Sequence, residues 1–373
     1  LTTDLYALAA WLRQCQSDTV VMESTGVYWM ALFEVLEARG FDVKLVDPHS
    51  VRQVPGRKTD VKDGQWRQEL HTSGVLRGAF RPEDEMCVLR SYLRQRRMRV
   101  AMAARAVQHM QQALAQMHLK LTEVVSAITG KTGMTIIRAI LAGERDSQVL
   151  AAHRDKRCKH DQATRAKALE GHWRAEHLCA LQQAVEQYEF LQQQLRVCDQ
   201  QIDACLQVLV TPAEMKAPRP APARKRRARQ RHTPDFDLHA YLESMTGVDL
   251  TQIDGIDSLS ALKIISEIGL DMTRWPTGKH FASWLGLCPG NKQSGGKRYR
   301  VRSKPTANRA ATALRVAAQS LAHSHSALGA YYRRMRARLG APKAMTATAH
   351  TLARLVYSML RYGADYVDAG QQA

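Results

Sequence analysis

Two groups of residues carry the types and spacing that chemistry needs. The first is acidic: Glu23, Asp60 and Asp63. Glu23 ends a compact apolar run, Thr19-Val20-Val21-Met22, which suits a buried strand. Asp60 and Asp63 lie three residues apart on a predicted helix, so they share a face. Clustered carboxylates repel one another unless a cation sits between them. Hard oxygen donors of this kind suit Mg²⁺, and two such ions clamp the attacking and leaving oxygens of a phosphodiester. Spacing alone also fits dipole-matched surface charge near a helix start. The second group is Pro289-Gly290-Asn291-Lys292-Gln293-Ser294-Gly295-Gly296-Lys297-Arg298-Tyr299-Arg300. Its paired glycines let the backbone approach a ligand, and Lys292, Lys297, Arg298 and Arg300 create a positive field. Ser294 there has three open roles: binding a phosphate, attacking one if activated, or closing a turn.

A third segment, Ile253 to Gly269, has the apolar-x-Gly-apolar turn of a helix-hairpin-helix element, with Gly255 at the turn. Such turns offer backbone N–H groups to nucleic-acid phosphates without reading base sequence. An ordinary helix pair has the same pattern. Cys158, His160, His172, His177 and Cys179 fit no standard zinc spacing.

The elements that must hold these residues divide the chain into four stretches. Residues 1–85 read as α/β: a short helix over 5–12, the strand at 19–22, a helix over 29–38, a strand over 41–46 and a helix over 59–70. Strand, helix, strand at this spacing implies parallel pairing. Residues 86–210 read as long helices with a coiled-coil seam. Leu93, Val100, Val107, Leu114, Leu121 and Ile128 recur every seven residues, and Leu181, Tyr188, Leu195, Ile202 and Leu209 form a second track. Arg96 interrupts the first companion track, and Asp199 and Gln192 interrupt the second. The seams, joined by a polar middle, fit an antiparallel hairpin, an intermolecular coiled coil, or both. Residues 211–238 form a basic, Pro-rich linker that includes Arg224, Lys225, Arg226 and Arg227, suited to tracking phosphates. Residues 239–373 read as a compact helical domain punctuated by glycines in its first half.

Composition agrees with this organisation. The 373 residues hold 54 Lys and Arg against 35 Asp and Glu, a net charge of +19. That excess favours a polyanionic partner. It is concentrated in the linker, in the strip 292–300 and in the arginines of the long helices. No apolar run reaches the length of a membrane span, and no stretch is an amphipathic lipid-facing one, so a membrane partner is not expected. Seven irregularly spaced cysteines read as free thiols of a reducing compartment.

The motifs together resemble a known family. Met22-Glu23-Ser24-Thr25-Gly26-Val27-Tyr28-Trp29, then Val46-Asp47-Pro48, then Lys58-Thr59-Asp60-Val61-Lys62-Asp63 resemble the N-terminal half of the IS one-ten insertion-sequence transposases, which also include the pilin-gene invertase. Gly133 to Arg145 and Pro289 to Lys297 continue the likeness in the family's order. The resemblance implies an RNase H-like (RuvC-like) domain with a DEDD metal site for Mg²⁺, a coiled-coil connector and a helical C-terminal domain with a serine nucleophile. The family's Glu falls on Glu23, its last two Asp residues on Asp60 and Asp63, and its serine on Ser294. The implied activity is DNA transposition or recombination through a covalent phosphoserine link. The implied partners are DNA and a structured guide RNA encoded beside the gene, with homodimers pairing into tetramers in a prokaryotic cytoplasm, at the nucleoid. The family's first Asp belongs on a strand upstream of Glu23, yet only 22 residues precede Glu23, and the sequence begins at Leu1. The expectation is an N-terminally truncated chain lacking one or two strands. Two rival expectations follow: a non-catalytic nucleic-acid-binding remnant, and a metal-dependent junction resolvase without covalent chemistry.

Overall fold

The structure is a computed structural model. It describes the chain apart from residues 25, 47–59, 75, 77, 154–160, 211–232, 302–307, 369 and 371–373, and apart from the side chains of residues 60–63, 291–294 and 298–301. Two compact units are present, Leu1–Pro82 and Glu83–Ala373.

The first unit contains α1 (Thr2–Gln14), β1 (Thr19–Glu23), α2 (Trp29–Glu37), β2 (Asp42–Val46) and α3 (Asp60–Thr72). The strands pair in parallel, from Thr19 opposite Asp42 to Glu23 opposite Val46. This is the strand–helix–strand crossover the sequence predicts, because apolar runs short enough for strands flank an amphipathic helix. Ala9 from α1 and Phe33 and Leu36 from α2 pack with Met22, Phe41 and Leu45 as one core. A further bridge pairs Gly78 with Val46 antiparallel, so the chain returns along β2. A parallel pair with a crossover helix is common to α/β folds in general, so the RNase H-like assignment continues to rest on sequence resemblance.

The second unit begins with α4 (Asp84–Gln116), a helix of 33 residues with Asp84 and Glu85 in its first turn, where acidic groups complement the helix dipole. It continues through α5 (Leu121–Val124), α6 (Lys131–Leu141), α7 (Ser147–Ala152), α8 (Gln162–Ala168) and α9 (Ala175–Leu209). Helices α4 and α9 pack antiparallel within the chain. Arg96 meets Asp199 near one end, and Met110, Leu114 and Met117 join Leu181, Ala184 and Val185 in a shared core near the other. Two of the three residues that break the apolar tracks, Arg96 and Asp199, are thus partners of each other.

The heptad pattern overstates the length of the first helix. Helix α4 stops at Gln116 although apolar positions recur to Ile128. His118 takes a left-handed conformation with φ 63°. The Leu119 amide donates to the Leu114 carbonyl at 2.9 Å, and the His118 amide donates to that of Ala115 at 3.0 Å. This is a Schellman stop, with Leu114 and Leu119 in the same core. Leu121 and Ile128 remain buried, but in the short helix α5 and the turn that follows it. The polar middle likewise contributes apolar residues to the same core, including Leu150, Ala166 and Leu169.

The C-terminal part of this unit contains α10 (Leu238–Thr246), α11 (Ser258–Ile268), α12 (Gly278–Trp284), β3 (Gly290–Ser294), β4 (Lys297–Val301), α13 (Arg309–Ser320), α14 (Ala327–Leu339) and α15 (Ala341–Tyr362). Side chains that also disfavour helix interiors set several starts. Asp237, Asp257, Asn308 and Ser326 each accept a backbone N–H at the head of the helix that follows. Trp275, Phe281 and Trp284 cluster, with ring centroids 5.0 Å apart for Trp275–Phe281, and the Tyr357 hydroxyl donates to the Trp275 carbonyl at 2.8 Å. The antiparallel β3–β4 hairpin corrects the expectation of an all-helical domain. Among the described residues, no helix is long and apolar enough to cross a membrane.

Candidate nucleic-acid processing site

Glu23 is the last residue of β1, opposite Val46 of β2. A carboxylate at the C-terminal end of a parallel strand stands where α/β folds place ligands. Glu23 is half-buried and ion-paired with Arg67 of α3. Ser24, next in the chain, is held by its hydroxyl and amide, which both donate to the Val46 carbonyl at 3.1 and 3.0 Å. Asp60 and Asp63 occupy the first turn of α3, seven and four positions before Arg67. The Asp60 and Asp63 side chains lie outside the described residues.

The donor set is one test of the implied metal. The Glu23 carboxylate is a hard oxygen donor of the kind Mg²⁺ takes, and Arg67 is ion-paired with it. Among the described residues, no group of three or more His, Cys, Asp or Glu side chains converges on a metal-sized site. The side chains of the other two expected ligands, residues 60 and 63, lie outside the described residues.

Ser294 is the last residue of β3, and Lys297, the first of β4, is its cross-strand partner. Gly295 and Gly296 between them both have positive φ, 56° and 74°. Two successive left-handed residues make the two-residue turn whose twist matches a hairpin, and glycine takes it without strain. The glycine pair is thereby explained by turn geometry, and it fixes Ser294 next to the tip. The register sets Gln293 opposite Arg298, Lys292 opposite Tyr299 and Asn291 opposite Arg300. Lys297 is exposed.

Gly255 also has a structural explanation. It has φ 88°, and a Cβ there would lie 2.6 Å from the Ala317 carbonyl oxygen of α13. The close approach that requires glycine is to the protein's own backbone. The turn before α11 is preceded by a single 3-10 turn, Leu250–Gln252. The linker residues Arg224, Lys225, Arg226 and Arg227 lie outside the described residues.

Sequence reasoning missed two arrangements. One is the Arg67–Glu23 pair. The other is the set Arg90, Arg94 and Arg97, whose i, i+4, i+7 spacing on α4 was a readable sign of a basic face. Arg90 and Arg94 both reach Glu267 of α11, at 3.5 and 3.1 Å. No periodicity argument pairs helices 173 residues apart in sequence.

Comparison with known proteins adds an independent observation. Residues 2–119 match a family model for the DEDD transposases of the IS110 type, and residues 248–333 match one described as the transposase IS116/IS110/IS902 family. A search of individually curated proteins returns no match. The first range contains Glu23, Asp60 and Asp63, and the second contains Ser294 and Gly255. Two models of one family, in the order of its two halves, thus cover both candidate groups: the chain belongs to the IS110 family of transposases.

Proposed function

We propose that the chain cuts and rejoins the DNA of its insertion sequence by phosphoryl transfer, with Ser294 as nucleophile and with Glu23, Asp60 and Asp63 as ligands for Mg²⁺. The observation that carries this reading is that the two family matches, over residues 2–119 and 248–333, enclose these two groups. A bound Mg²⁺ supplies Lewis-acid stabilisation of charge on phosphodiester oxygens. Everything else falls to the chain's own residues. The Ser294 Oγ attacks phosphorus and gives its proton to water, and the new O–P bond replaces the bond from phosphorus to a sugar oxygen. That oxygen departs as a hydroxyl, having taken up a proton. Attack by a sugar hydroxyl on the phosphoserine reverses the exchange, so the ester energy is conserved and the serine regenerated. Lys297, opposite Ser294 in the hairpin, places a cation near the charge that develops on the phosphoryl oxygens.

A structured RNA that pairs with donor and target DNA supplies the sequence choice in this reading, and the net charge of +19 suits a protein that holds two nucleic acids together. Assembly as dimers that pair into tetramers belongs to the same proposal.

The test is a denaturing gel. The protein is incubated with Mg²⁺, the RNA flanking its gene and matching labelled DNA. The expected result is a protein–DNA band resistant to denaturant, lost in Ser294→Ala, with RNA affinity unchanged. An adduct of equal intensity in Ser294→Ala would sink the nucleophile assignment. Cleavage that proceeds without any adduct would favour hydrolytic resolution.

A further inference from the structure

A cavity of about 230 Å³ lies where α4 meets α11 and α13. Its wall carries Arg90, Arg94 and Arg97 from α4, Lys263 and Glu267 from α11, and Arg309, the first residue of α13. Five cations face one carboxylate, an excess of four positive charges in one small space. Glu267 is half-buried; both of its carboxylate oxygens accept from Arg94 Nη2, at 3.1 and 3.2 Å, and Arg90 is ion-paired with it at 3.5 Å. It orients two guanidinium groups while each keeps further N–H donors.

The remaining cations, Arg97, Lys263 and Arg309, are solvent-exposed at the mouth of the cavity, and Asp257 attracts only Lys263. Burial pushes the Arg309 guanidinium below its ordinary value, and Arg94, Arg97 and Arg90 push the same way against the single pull of Glu267. Crowding by protein atoms lowers Lys263 too, against the pull of Asp257 and with Arg96 and Arg97 adding to it. Folding accepts this repulsion, and an anion would relieve it. Guanidinium forks pair with phosphate oxygens bidentately, and arginine dominates such sites. The cavity is smaller than the roughly 300 Å³ at which small-molecule pockets begin. It therefore suits a phosphate group, and not a nucleobase.

We infer that this pocket binds backbone phosphate of the nucleic acid that the protein handles, with Glu267 as the residue that positions the arginine forks. The inference rests on the proposed function for its choice of nucleic acid, but neither on Ser294 nor on the carboxylates. It makes the junction between the helical hairpin and the C-terminal helices a clamp on the phosphate backbone.

The chemistry is shared by two sources, backbone phosphate and a free polyphosphate, and two measurements separate them. The pocket variant Arg97→Gln/Lys263→Gln/Arg309→Gln leaves the Arg90 and Arg94 pairs to Glu267 in place. Its charge-matched control is Arg334→Gln/Arg338→Gln/Lys343→Gln, at exposed positions of α14 and α15. A melting curve equal to that of the parent establishes folding, and Lys263→Gln/Arg309→Gln replaces the triple variant if it unfolds. The first measurement is affinity for duplex DNA and for the flanking RNA over a salt series. The slope of log affinity against log salt should fall by about two to three in the pocket variant and by less than about one in the control. Equal loss in both proteins overturns the inference. The second measurement is a calorimetric titration with inorganic pyrophosphate. Pyrophosphate heat that vanishes in the pocket variant while the nucleic-acid slope stays put overturns the backbone source and assigns the pocket to a free polyphosphate. No change in either measurement overturns the phosphate site altogether. A parent protein that binds neither DNA nor RNA defeats the proposed function, and the pyrophosphate titration then decides the pocket by itself.

Discussion

His239 and Asp249 form an ion pair at the start of the C-terminal helices, with Nε2 3.1 Å from Oδ1. The hydrogen bond to Asp249 raises the His239 pKa, against a smaller opposing effect of burial. Burial pushes Asp249 up, but hydrogen bonds from His239 and Thr251 outweigh it and leave the carboxyl low. The signs follow from linkage. The raised His239 contributes stability that is fully present below the ordinary histidine value, about 6.5, and is lost as pH rises through its folded value. The lowered Asp249 contributes above the ordinary carboxylate range and is lost as pH falls through its folded value. Because the histidine is partly exposed, the expected loss on the alkaline side is below about 1 kcal/mol. Urea melts of the parent on either side of the histidine transition, compared with His239→Gln, check this. Equal pH dependence in the two proteins would remove the pair from the account. At the same scale, Ser294, Glu23 and Gly255 were legible as special residues from their neighbours in sequence. Their reasons were only partly legible, because the contact that makes Gly255 obligatory comes from Ala317, far along the chain.

Among the elements, the pairing of α4 with α9 rests on apolar layers and on one buried exchange of charge. Arg96 is buried and donates to both Asp199 carboxylate oxygens, through Nε and, at 3.2 Å, through Nη2. Breaking such a pair leaves one charge without its partner, at a cost of about 3–5 kcal/mol, whereas replacing both residues by apolar ones is close to neutral. Asp199→Ala and Arg96→Met should each destabilise the second unit by that order, and Arg96→Met/Asp199→Leu should recover most of the loss. A double-mutant cycle in urea reads the coupling, and additive single losses would mean that the pair contributes little. The interrupted heptads were visible in sequence, but their meaning was not. Periodicity reports a face of one helix, and only the antiparallel register brings two of the polar interruptions to the same level. The end of α4 shows the converse. The apolar repeat continues past His118, and local hydrogen bonding ends the helix regardless.

For the whole molecule, the net charge of +19 has a structural consequence as well as a functional one. Like charges repel in the compact state more than in the extended chain, and salt screens them over about 8–10 Å. Cations are crowded at the α4–α11–α13 junction, and the linker adds more in sequence. Raising salt from roughly 0.05 to 0.3 M should therefore raise the melting temperature by about 2–4 °C, even as it weakens nucleic-acid binding. Scanning calorimetry across that range checks the prediction. A falling midpoint would show that ion pairs such as those at Glu267 outweigh the repulsion.

Sequence by itself determined the family, the α/β start, the two long helices and the residue types at the candidate site. These follow from local information: apolar periodicity, turn residues and motifs read in order. Tertiary structure decided which distant residues meet. It set Arg67 on Glu23, joined Arg96 to Asp199 and stopped α4 at His118. It also turned the glycine-rich segment into a hairpin with Ser294 at its tip, and gathered Arg90, Arg94, Arg97, Lys263 and Arg309 around Glu267. The physical reason is common to all of them. Hydrogen bonds and ion pairs form between groups that packing brings within a few ångströms, and the spacing of residues along one helix or strand carries no information about which other element will be packed against it.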